Sequence, residues 1–116
     1  MGREDCLFCK IVKREIPAKI VFEDPRVLAF EDMNPQAPVH ILVIPKEHVE
    51  KVSDLTEKSA ETAGQLILAA KKLASQRGIE ESGYRIVINC NKDAGQAVFH
   101  LHLHLLGGRK FSWPPG

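Results

Sequence analysis

The amino-acid sequence predicts an α+β fold with a mainly antiparallel sheet of about five strands, one long helix and one short helix. Short apolar runs typical of strands come first, one long segment with helical spacing follows, and further strands come last. Strands and helices do not alternate along the chain, as they would in a parallel α/β sheet. The 116 residues can bury a core, so we expect a single domain over residues 1–116.

The first half of the chain is predicted to form the short helix and three strands. The helix covers residues 10–14 and ends before an Ile-Pro pair, because proline disfavours helix at the preceding residue. Residues 18–23 and 26–31 form two strands of a hairpin-like pair. A loop rich in turn formers follows, and residues 39–44 then form an apolar strand that is buried on both faces apart from His40.

The second half is predicted to form the long helix and the remaining strands. Residues 56–77 have helical periodicity, with Thr56 or Ser53 as the cap and Gly78 as the residue that ends the helix. Residues 84–88 form the fourth strand, and a polar loop over residues 89–97 leads to the last strand. The predicted buried stripe of the helix consists of Ala60, Ala63, Ile67, Ala70 and Ala74, with Leu66 and Leu73 beside it.

Composition limits the classes of function. Lys and Arg number 16 and Asp and Glu number 15, so no basic excess favours nucleic acid or an anionic membrane as a partner. No apolar run approaches the roughly 18 residues of a membrane span, and no signal-peptide pattern is present, which predicts a cytoplasmic protein. The three cysteines are an odd number and fit a reducing compartment.

The last strand, residues 100–106, carries the strongest functional signal. Histidine alternates with leucine there, and alternate side chains of a strand share one face, so His100, His102 and His104 are predicted to lie together. The chain has only five histidines. Three of them on one strand face favour a site over an amphipathic strand whose polar positions happen to be histidine.

Imidazole chemistry suggests what this strand does. A neutral imidazole is a competent nucleophile towards phosphorus, so His102, the middle one, is the candidate for a phosphohistidine intermediate. Its other ring nitrogen must donate a proton to a partner, for which backbone carbonyls and His40 are the candidates. His104 is then left to donate to phosphate oxygens or to protonate a leaving group.

The polar loops are predicted to hold a nucleotide beside this strand. Gly95 allows the backbone to approach a phosphate closely, and Asn89 and Gln96 offer amides. Asp32, in the other loop, could accept hydrogen bonds from a ribose. Ordinary turn chemistry is the alternative interpretation for each of these residues.

These residues together resemble a known family, the histidine triad nucleotide-binding proteins. The pattern His100-Leu-His102-Leu-His104-Leu-Leu matches the family signature, and the likeness to the Hint branch covers nearly the whole chain. The resemblance implies a HIT-like fold whose sheet continues across a homodimer. It also implies a purine nucleoside phosphoramidase, which cleaves the P–N bond of an adenosine or guanosine 5′-monophosphoramidate to AMP or GMP and an amine. The supporting segments are residues 16–18, 22–24, 35–38, 42–46, 84–85 and 107–116.

The resemblance also implies roles for individual residues. His102 aligns with the nucleophile, and Asp32 and Met33 align with residues that hold the ribose. Trp113 lies in the tail that, in the family, reaches the partner subunit's site. The phosphate is expected at Asn89, Gly95, Gln96, Ala97, His102 and His104, and the base in an apolar pocket of Leu7, Phe8, Ile11 and Phe30, positions that fit a simple core equally well.

One position departs from the family pattern. Ala97 stands where the phosphoramidase branch often has serine, and alanine has no hydroxyl to donate to the phosphate or the leaving amine. Losing one such contact costs about 1–3 kcal/mol. The rate and the leaving-group preference are therefore more open to change than nucleotide binding.

The pair Cys6-x-x-Cys9 has three interpretations: a redox pair, half of a zinc site, or chance. A redox pair is expected within a βαβ unit, which the sequence does not predict. A zinc site needs two more ligands, and His48 and His100 are the histidines not used in catalysis or orientation. Members of the wider family use such a Cys₂His₂ set as a structural site, and the resemblance supports it here. In the alternative the site is empty, with the cysteines simply buried.

Three functions remain after the sequence analysis. The first is a nucleoside phosphoramidase that acts through His102 and needs no catalytic metal. The second is a dinucleoside polyphosphate hydrolase, which the Trp-Pro-Pro-Gly ending disfavours. The third is a nucleotide-binding regulatory protein with vestigial catalysis, which Ala97 keeps open.

Overall fold

The computed structural model describes residues 4–116, and five antiparallel strands form its single sheet. Their spatial order is β1-β2-β3-β5-β4, so the last strand lies between the third and the fourth. The predicted α+β class is confirmed. The helices and strands in chain order are α1 (Leu7–Val12), β1 (Ile20–Glu23), β2 (Val27–Glu31), β3 (Val39–Pro45), α2 (Ala60–Gln76), β4 (Tyr84–Val87) and β5 (Leu103–Gly107).

The sheet separates two apolar clusters. One packs α2 against a face that includes Ile41, Val43, Leu103 and Leu105. The other packs α1 against the opposite face. Its sheet residues are Leu28, Phe30, Leu42 and Ile44. Along β5, the alternation of side chains therefore sends Leu103 and Leu105 to the α2 side and His104 to the α1 side. Along β3 it sends His40 to the same side as His104.

The short helix begins and ends three and two residues earlier, respectively, than the sequence predicted. Cys6 caps it, since its Sγ accepts a hydrogen bond from the Cys9 N–H at 3.2 Å. The predicted helix of residues 10–14 is wrong at its end because Arg14 has a positive φ of 64°, which a helix does not allow. The capping cysteine is thus also one of the candidate metal ligands.

The long helix is confirmed, with a corrected start and a corrected buried stripe. Residues 57–59 form a 3₁₀ turn that Thr56 caps, and α2 itself begins at Ala60. Gly78 ends it with a φ of 72°, and Ile79 packs back on the core. Ile67 was predicted to be buried but is 44% exposed, because the stripe is rotated by about one position. The buried residues are Leu66, Ala69, Ala70, Leu73 and Ala74.

Two strand predictions also need correction. The last strand begins at Leu103, because β3 ends at Pro45 and proline has no N–H for the ladder to continue. His100 and His102 therefore lie in the segment before β5. His40 was predicted as the exception to burial in β3, yet it is only 7% exposed.

Some predictions are not tested by this structure. No helix within residues 4–116 has the length and apolar character needed to cross a membrane. A homodimer, and a single domain over all of residues 1–116, stay predictions. Strand β4 lies at an edge of the sheet, where a second copy could add strands.

Candidate active site and metal-binding cluster

Two neighbouring strands bring His40 and His104 together. In the register of β3 and β5, His104 is opposite Leu42, so His40 is its diagonal neighbour on the same face. His40 Nε2 lies 2.9 Å from His104 Nδ1. The ring centroids of His102 and His104 are 5.0 Å apart. The predicted grouping of histidines on one face is therefore found, although β5 is shorter than expected.

A cavity of about 300 Å³ lies against His102 and His104. Its wall is mostly apolar, and Phe8 packs edge-on against the His102 ring with centroids 5.2 Å apart. Nine residues of the predicted nucleotide site line this cavity: Leu7, Phe8, Ile11, Phe30, Asp32, Met33, Ala97, His102 and His104. Of the apolar positions that fitted either a core or a base pocket, Phe8, Ile11 and Phe30 are both core and wall, whereas Leu7 is 49% exposed and belongs to the wall alone.

The protonation pattern of His102 follows from one hydrogen bond. Its Nδ1 lies 2.8 Å from the His100 carbonyl oxygen, which can only accept, so Nδ1 carries the proton. The lone pair of the neutral ring is then on Nε2. Of the two orienting partners considered for His102, the backbone carbonyl is the one present.

His40 orients His104 instead. The Gln36 backbone N–H donates to His40 Nδ1 at 3.0 Å, so the His40 proton is on Nε2. His40 Nε2–H donates in turn to His104 Nδ1. The remaining proton of a neutral His104 is therefore on its Nε2, and His104 is a hydrogen-bond donor there.

Burial keeps these imidazoles neutral. It lowers the pKa of His102 and of His40 below the ordinary histidine value, with Asp32 opposing the shift. The pKa of His104 falls to about 4, first because of burial and then because His102 and His40 lie nearby. A nitrogen nucleophile requires a neutral ring at physiological pH, and a neutral imidazole can still donate one hydrogen bond from its other nitrogen.

Asp32 lies at the edge of the histidine pair. Its Oδ1 accepts the Asn34 N–H at 2.8 Å, and its Oδ2 is 3.5 Å from His40 Nε2. The carboxylate also reaches the cavity wall. It can therefore accept a hydrogen bond from a ligand, and its negative charge opposes the lowering of the pKa of His102 and His104.

The four predicted metal ligands also come together. Their ligand atoms, in Cys6, Cys9, His48 and His100, all lie within 4.8 Å of one another. Cys6 Sγ is 3.3 Å from His100 Nδ1, and Cys9 Sγ is 3.3 Å from His48 Nδ1. Sulfur and nitrogen ligands of a tetrahedral zinc are separated by about 3.6 Å, so this donor set fits zinc.

The orientation of His100 supports the fit. Its Nε2 donates to the Pro45 carbonyl oxygen at 2.8 Å, which leaves the Nδ1 lone pair facing the two sulfur atoms. A hydrogen bond from the distal ring nitrogen to a carbonyl is the usual support of a metal-binding histidine. Burial lowers the pKa of His100 to about 4, so the ring is neutral and can ligate.

Four residues of the predicted nucleotide site do not line the cavity: Asn89, Gly95, Gln96 and Trp113. Gln96 is buried and holds its own loop, since its side chain bonds to Asn91 N, Glu50 O and Val98 O. Gly95 has a φ of 88°, which allows the tight turn before it. Trp113 is 81% exposed. Their ligand-binding roles stay predictions.

Sequence analysis missed part of the wall and two main-chain partners. Ile16, Pro17, Ala18, Leu42 and Val98 also line the cavity. The Leu42 signal was available, because it has the same parity as His40 on a strand beside the histidines. The Pro45 carbonyl and the Gln36 N–H had no sequence signal, since any residue supplies a carbonyl and almost any supplies an N–H.

Comparisons with known proteins agree with this geometry. The model of the HIT domain family matches residues 13–111. The chain is 48% identical over 106 residues to the purine nucleoside phosphoramidase of Escherichia coli, covering 91% of this chain and 89% of that protein. It is 50% identical over 112 residues to the 14 kDa zinc-binding protein of Zea mays, covering 95% and 87%.

The fold comparison gives the same result. The crystal structure of a HIT family hydrolase from Legionella pneumophila superimposes with a TM-score of 0.95 at 53% identity, covering 97% of this chain and 100% of that chain. The family model covers His100, His102 and His104, and the similarity to the relatives and to the solved structure extends over most of the chain. The chain therefore belongs to the HIT family.

Proposed function

We propose that this protein hydrolyses purine nucleoside 5′-monophosphoramidates through a nucleotidyl-histidine intermediate on His102. The observation that carries the proposal is the His102 hydrogen bond to the His100 carbonyl, which leaves a neutral Nε2 lone pair beside the cavity. The similarity to the E. coli phosphoramidase supports the choice of bond. His102, His104, His40 and His100 form the catalytic set, with His100 acting through its backbone.

In the first step His102 Nε2 forms a bond to phosphorus as the P–N bond of the substrate breaks. The electron pair of that bond goes to the leaving nitrogen, which takes a proton from solvent and departs as the amine. His104, with a pKa of about 4, is neutral and therefore donates a hydrogen bond to a phosphate oxygen rather than a proton to the amine. Of the two roles expected for His104, the structure favours this one.

In the second step water forms a P–O bond as the bond from phosphorus to His102 Nε2 breaks. The electron pair returns to Nε2, and a proton of the water goes to solvent, replacing the one that the amine took. The products are the nucleoside monophosphate and an amine, and the imidazole is unchanged. No step requires a metal, because imidazole donors are available at the phosphate.

The apolar cavity suits a purine base. Phe8 and Phe30 pack edge to face with centroids 5.4 Å apart, and Leu7 and Ile11 complete the wall. Asp32 lines the same cavity, and its proposed role is to accept hydrogen bonds from the ribose hydroxyls. The expected phosphate contacts of Asn89, Gly95, Gln96 and Ala97 belong to the loop that precedes the histidines.

We also propose that Cys6, Cys9, His48 and His100 hold a structural zinc ion. Zinc would supply a cross-link between α1, the segment after β3 and the segment before β5. The name of the Zea mays relative supports this proposal. Zinc-binding thiolates must stay reduced, in agreement with the cytoplasmic location expected from the sequence.

A homodimer is the third part of the proposal. The free edge of β4 can pair with the same strand of a second copy, which would join the two sheets. Ile88, directly after β4, and Phe99 are 36% and 44% exposed, as apolar residues near an interface would be in one isolated copy. Light scattering behind a sizing column tests this part, and a monomer at micromolar concentration contradicts it.

Turnover of two substrates tests the activity. We expect AMP release from an adenosine 5′-phosphoramidate and a much slower reaction with diadenosine tetraphosphate, and we expect both to be lost in His102→Ala. Faster cleavage of the tetraphosphate identifies a dinucleoside polyphosphate hydrolase instead. Tight AMP binding without turnover of either substrate identifies a nucleotide-binding regulatory protein, the alternative that Ala97 keeps open. Full activity in His102→Ala contradicts the mechanism.

A further inference from the structure

The C-terminal tail, residues 108–116, contacts the loop that determines which ring nitrogen of His40 carries the proton. This loop, residues 32–38, places the Gln36 N–H on His40 Nδ1. The neighbouring carbonyl, Gln36 O, accepts a hydrogen bond from Arg109 Nε at 3.0 Å. Arg109 does not line the cavity and does not belong to the buried core, so its contact with the loop serves neither substrate binding nor core packing.

The tail holds Arg109 in place from both sides. The guanidinium stacks on the Phe111 ring with its carbon 4.3 Å from the centroid, and it donates to the Lys110 carbonyl. Arg85 of β4 lies over the same ring at 5.1 Å and donates to the Ser112 carbonyl. The guanidinium group of Arg109 therefore contacts both the tail and the loop.

The start of the tail also packs on this loop. Gly108 has a φ of 89°, and a Cβ there would lie 2.8 Å from Pro38 Cβ. Only glycine fits a positive φ at such a close approach. The backbone contact and the Arg109 hydrogen bond are separate observations, and both join the tail to residues 36–38.

We propose that Arg109 is a positioning residue for the His40–His104 pair. Its hydrogen bond holds the Gln36 peptide groups, so that the Gln36 N–H keeps the His40 proton on Nε2 and His40 in turn keeps the His104 proton on the Nε2 that faces the phosphate. The chain of contacts has three hydrogen bonds, at 3.0, 3.0 and 2.9 Å. Only its consequence for catalysis rests on the proposed function.

Imidazole ¹⁵N shifts measure the proton positions directly, without any substrate. In the unmodified protein loaded with zinc, we expect His40 to carry its proton on Nε2 alone and His104 to do the same. In Arg109→Met we expect His40 to become a mixture of both tautomers, because the loop is no longer held. Lys110→Met removes a neighbouring positive charge from the same tail and is expected to leave both rings unchanged.

Steady-state kinetics supply the second readout. Loss of one such hydrogen bond is expected to lower kcat about tenfold in Arg109→Met while KM changes by less than twofold, because Arg109 does not line the nucleotide cavity. Lys110→Met is expected to keep both constants. If the protein turns over no phosphoramidate at all, the proposed function fails and the ¹⁵N result still decides the role of Arg109.

Three results overturn the proposal. One is a proton on His40 Nδ1 in the unmodified protein. Another is an unchanged His40 tautomer in Arg109→Met, with or without a fall in kcat. Should Arg109→Met not fold, Phe111→Leu removes only the stacking and is expected to shift the His40 tautomer in the same direction by less. An unchanged tautomer there is the third.

Discussion

Two clusters lie on either side of His102, one of histidines with cysteines and one of histidines with an aspartate. They differ in which nitrogen of the histidine ring carries the proton. The first, Cys6, Cys9, His48 and His100, will be called the four-residue cluster; the second, Asp32, His40 and His104, the three-residue cluster. In the four-residue cluster, the Pro45 carbonyl accepts a hydrogen bond from His100 Nε2–H, which leaves the Nδ1 lone pair facing the sulfur atoms. In the three-residue cluster, the Gln36 N–H occupies a His40 lone pair and leaves a proton facing the other members.

This difference shows that the main chain decides what a histidine does. A ring nitrogen that carries a proton cannot ligate a metal, so the three-residue cluster is unsuited to zinc although its ligand atoms are equally close. It is suited to donate hydrogen bonds to a phosphate. His102 lies between the clusters and takes its orientation from the backbone carbonyl of His100, a member of the four-residue cluster.

The largest expected effect is on the four-residue cluster. Cys9→Ser removes one of the proposed zinc ligands and should lower the free energy of unfolding of the zinc-loaded protein by about 5 kcal/mol or more, because metal binding contributes directly to folding. Chemical denaturation measures the free energy of unfolding, and metal analysis measures the zinc bound per chain. Cys90→Ser, a change at the cysteine outside the cluster, is the control. Equal stability of the two variants, or more than one zinc per chain, would break the comparison.

The next effect is on the three-residue cluster. His104→Ala removes the proposed hydrogen-bond donor to the phosphate and should lower kcat about a hundredfold, in line with the loss of one donor to a developing charge. The zinc content should stay at one per chain, because the His104 ring is not a member of the four-residue cluster. Kinetics and metal analysis of the same preparation check this. Loss of zinc together with kcat would show that the clusters are not independent.

A smaller effect concerns stability at low pH. The pKa of His104 is about 4 in the folded protein and near 6.5 in the unfolded chain, so between these values only the unfolded chain binds the proton. This contribution to stability is complete above pH 6.5 and is lost as the pH falls towards 4. His104→Ala should therefore lose about 1–2 kcal/mol less than the unmodified protein between pH 7 and 4.5, since solvent screens a partly exposed ring.

Urea denaturation at the two pH values gives this difference. Subtracting the two proteins removes the losses they share, including those from the zinc ligands. If the free energy of unfolding of the two proteins falls equally with pH, burial does not hold His104 neutral. The proposed contrast between a ring that donates a hydrogen bond and a ring that ligates a metal would then lose this support.

The smallest effect concerns Ala97, which lines the cavity and has no donor. Ala97→Ser adds a hydroxyl and should raise kcat/KM about fivefold, because one added hydrogen bond contributes about 1 kcal/mol. Ala97→Val, which adds bulk without a donor, is the control for shape. A gain in both variants would point to shape rather than to hydrogen bonding.

The sequence predicted the side-chain chemistry better than the geometry that controls it. Alternation of histidine and leucine placed the imidazoles on one face, and the spacing of Cys6 and Cys9 with the resemblance identified the cluster that could hold a metal. The predicted loop between β2 and β3 was also correct. These signals are carried by residue types, so they are visible in a sequence.

The features that could not be predicted from the sequence depend on main-chain groups and on the exact rotation of the helix and the exact start of the last strand. The Pro45 carbonyl and the Gln36 N–H set the tautomers without any residue preference. The stripe of α2 was displaced by one position because alanine fits both a buried and an exposed face, which left Ile67 exposed. Strand β5 begins late because its partner strand ends at a proline.

The measurement closest to the central claim is a trapped intermediate. The unmodified protein is mixed with excess adenosine 5′-phosphoramidate, stopped in alkaline denaturant, which preserves a phosphorus–imidazole bond, and digested for mass spectrometry. The account predicts one adenylyl group on the peptide that contains residues 100–104, located on His102 and missing in His102→Ala. An adenylyl group on another histidine, or rapid AMP release with no adenylylated protein at any time, would contradict it.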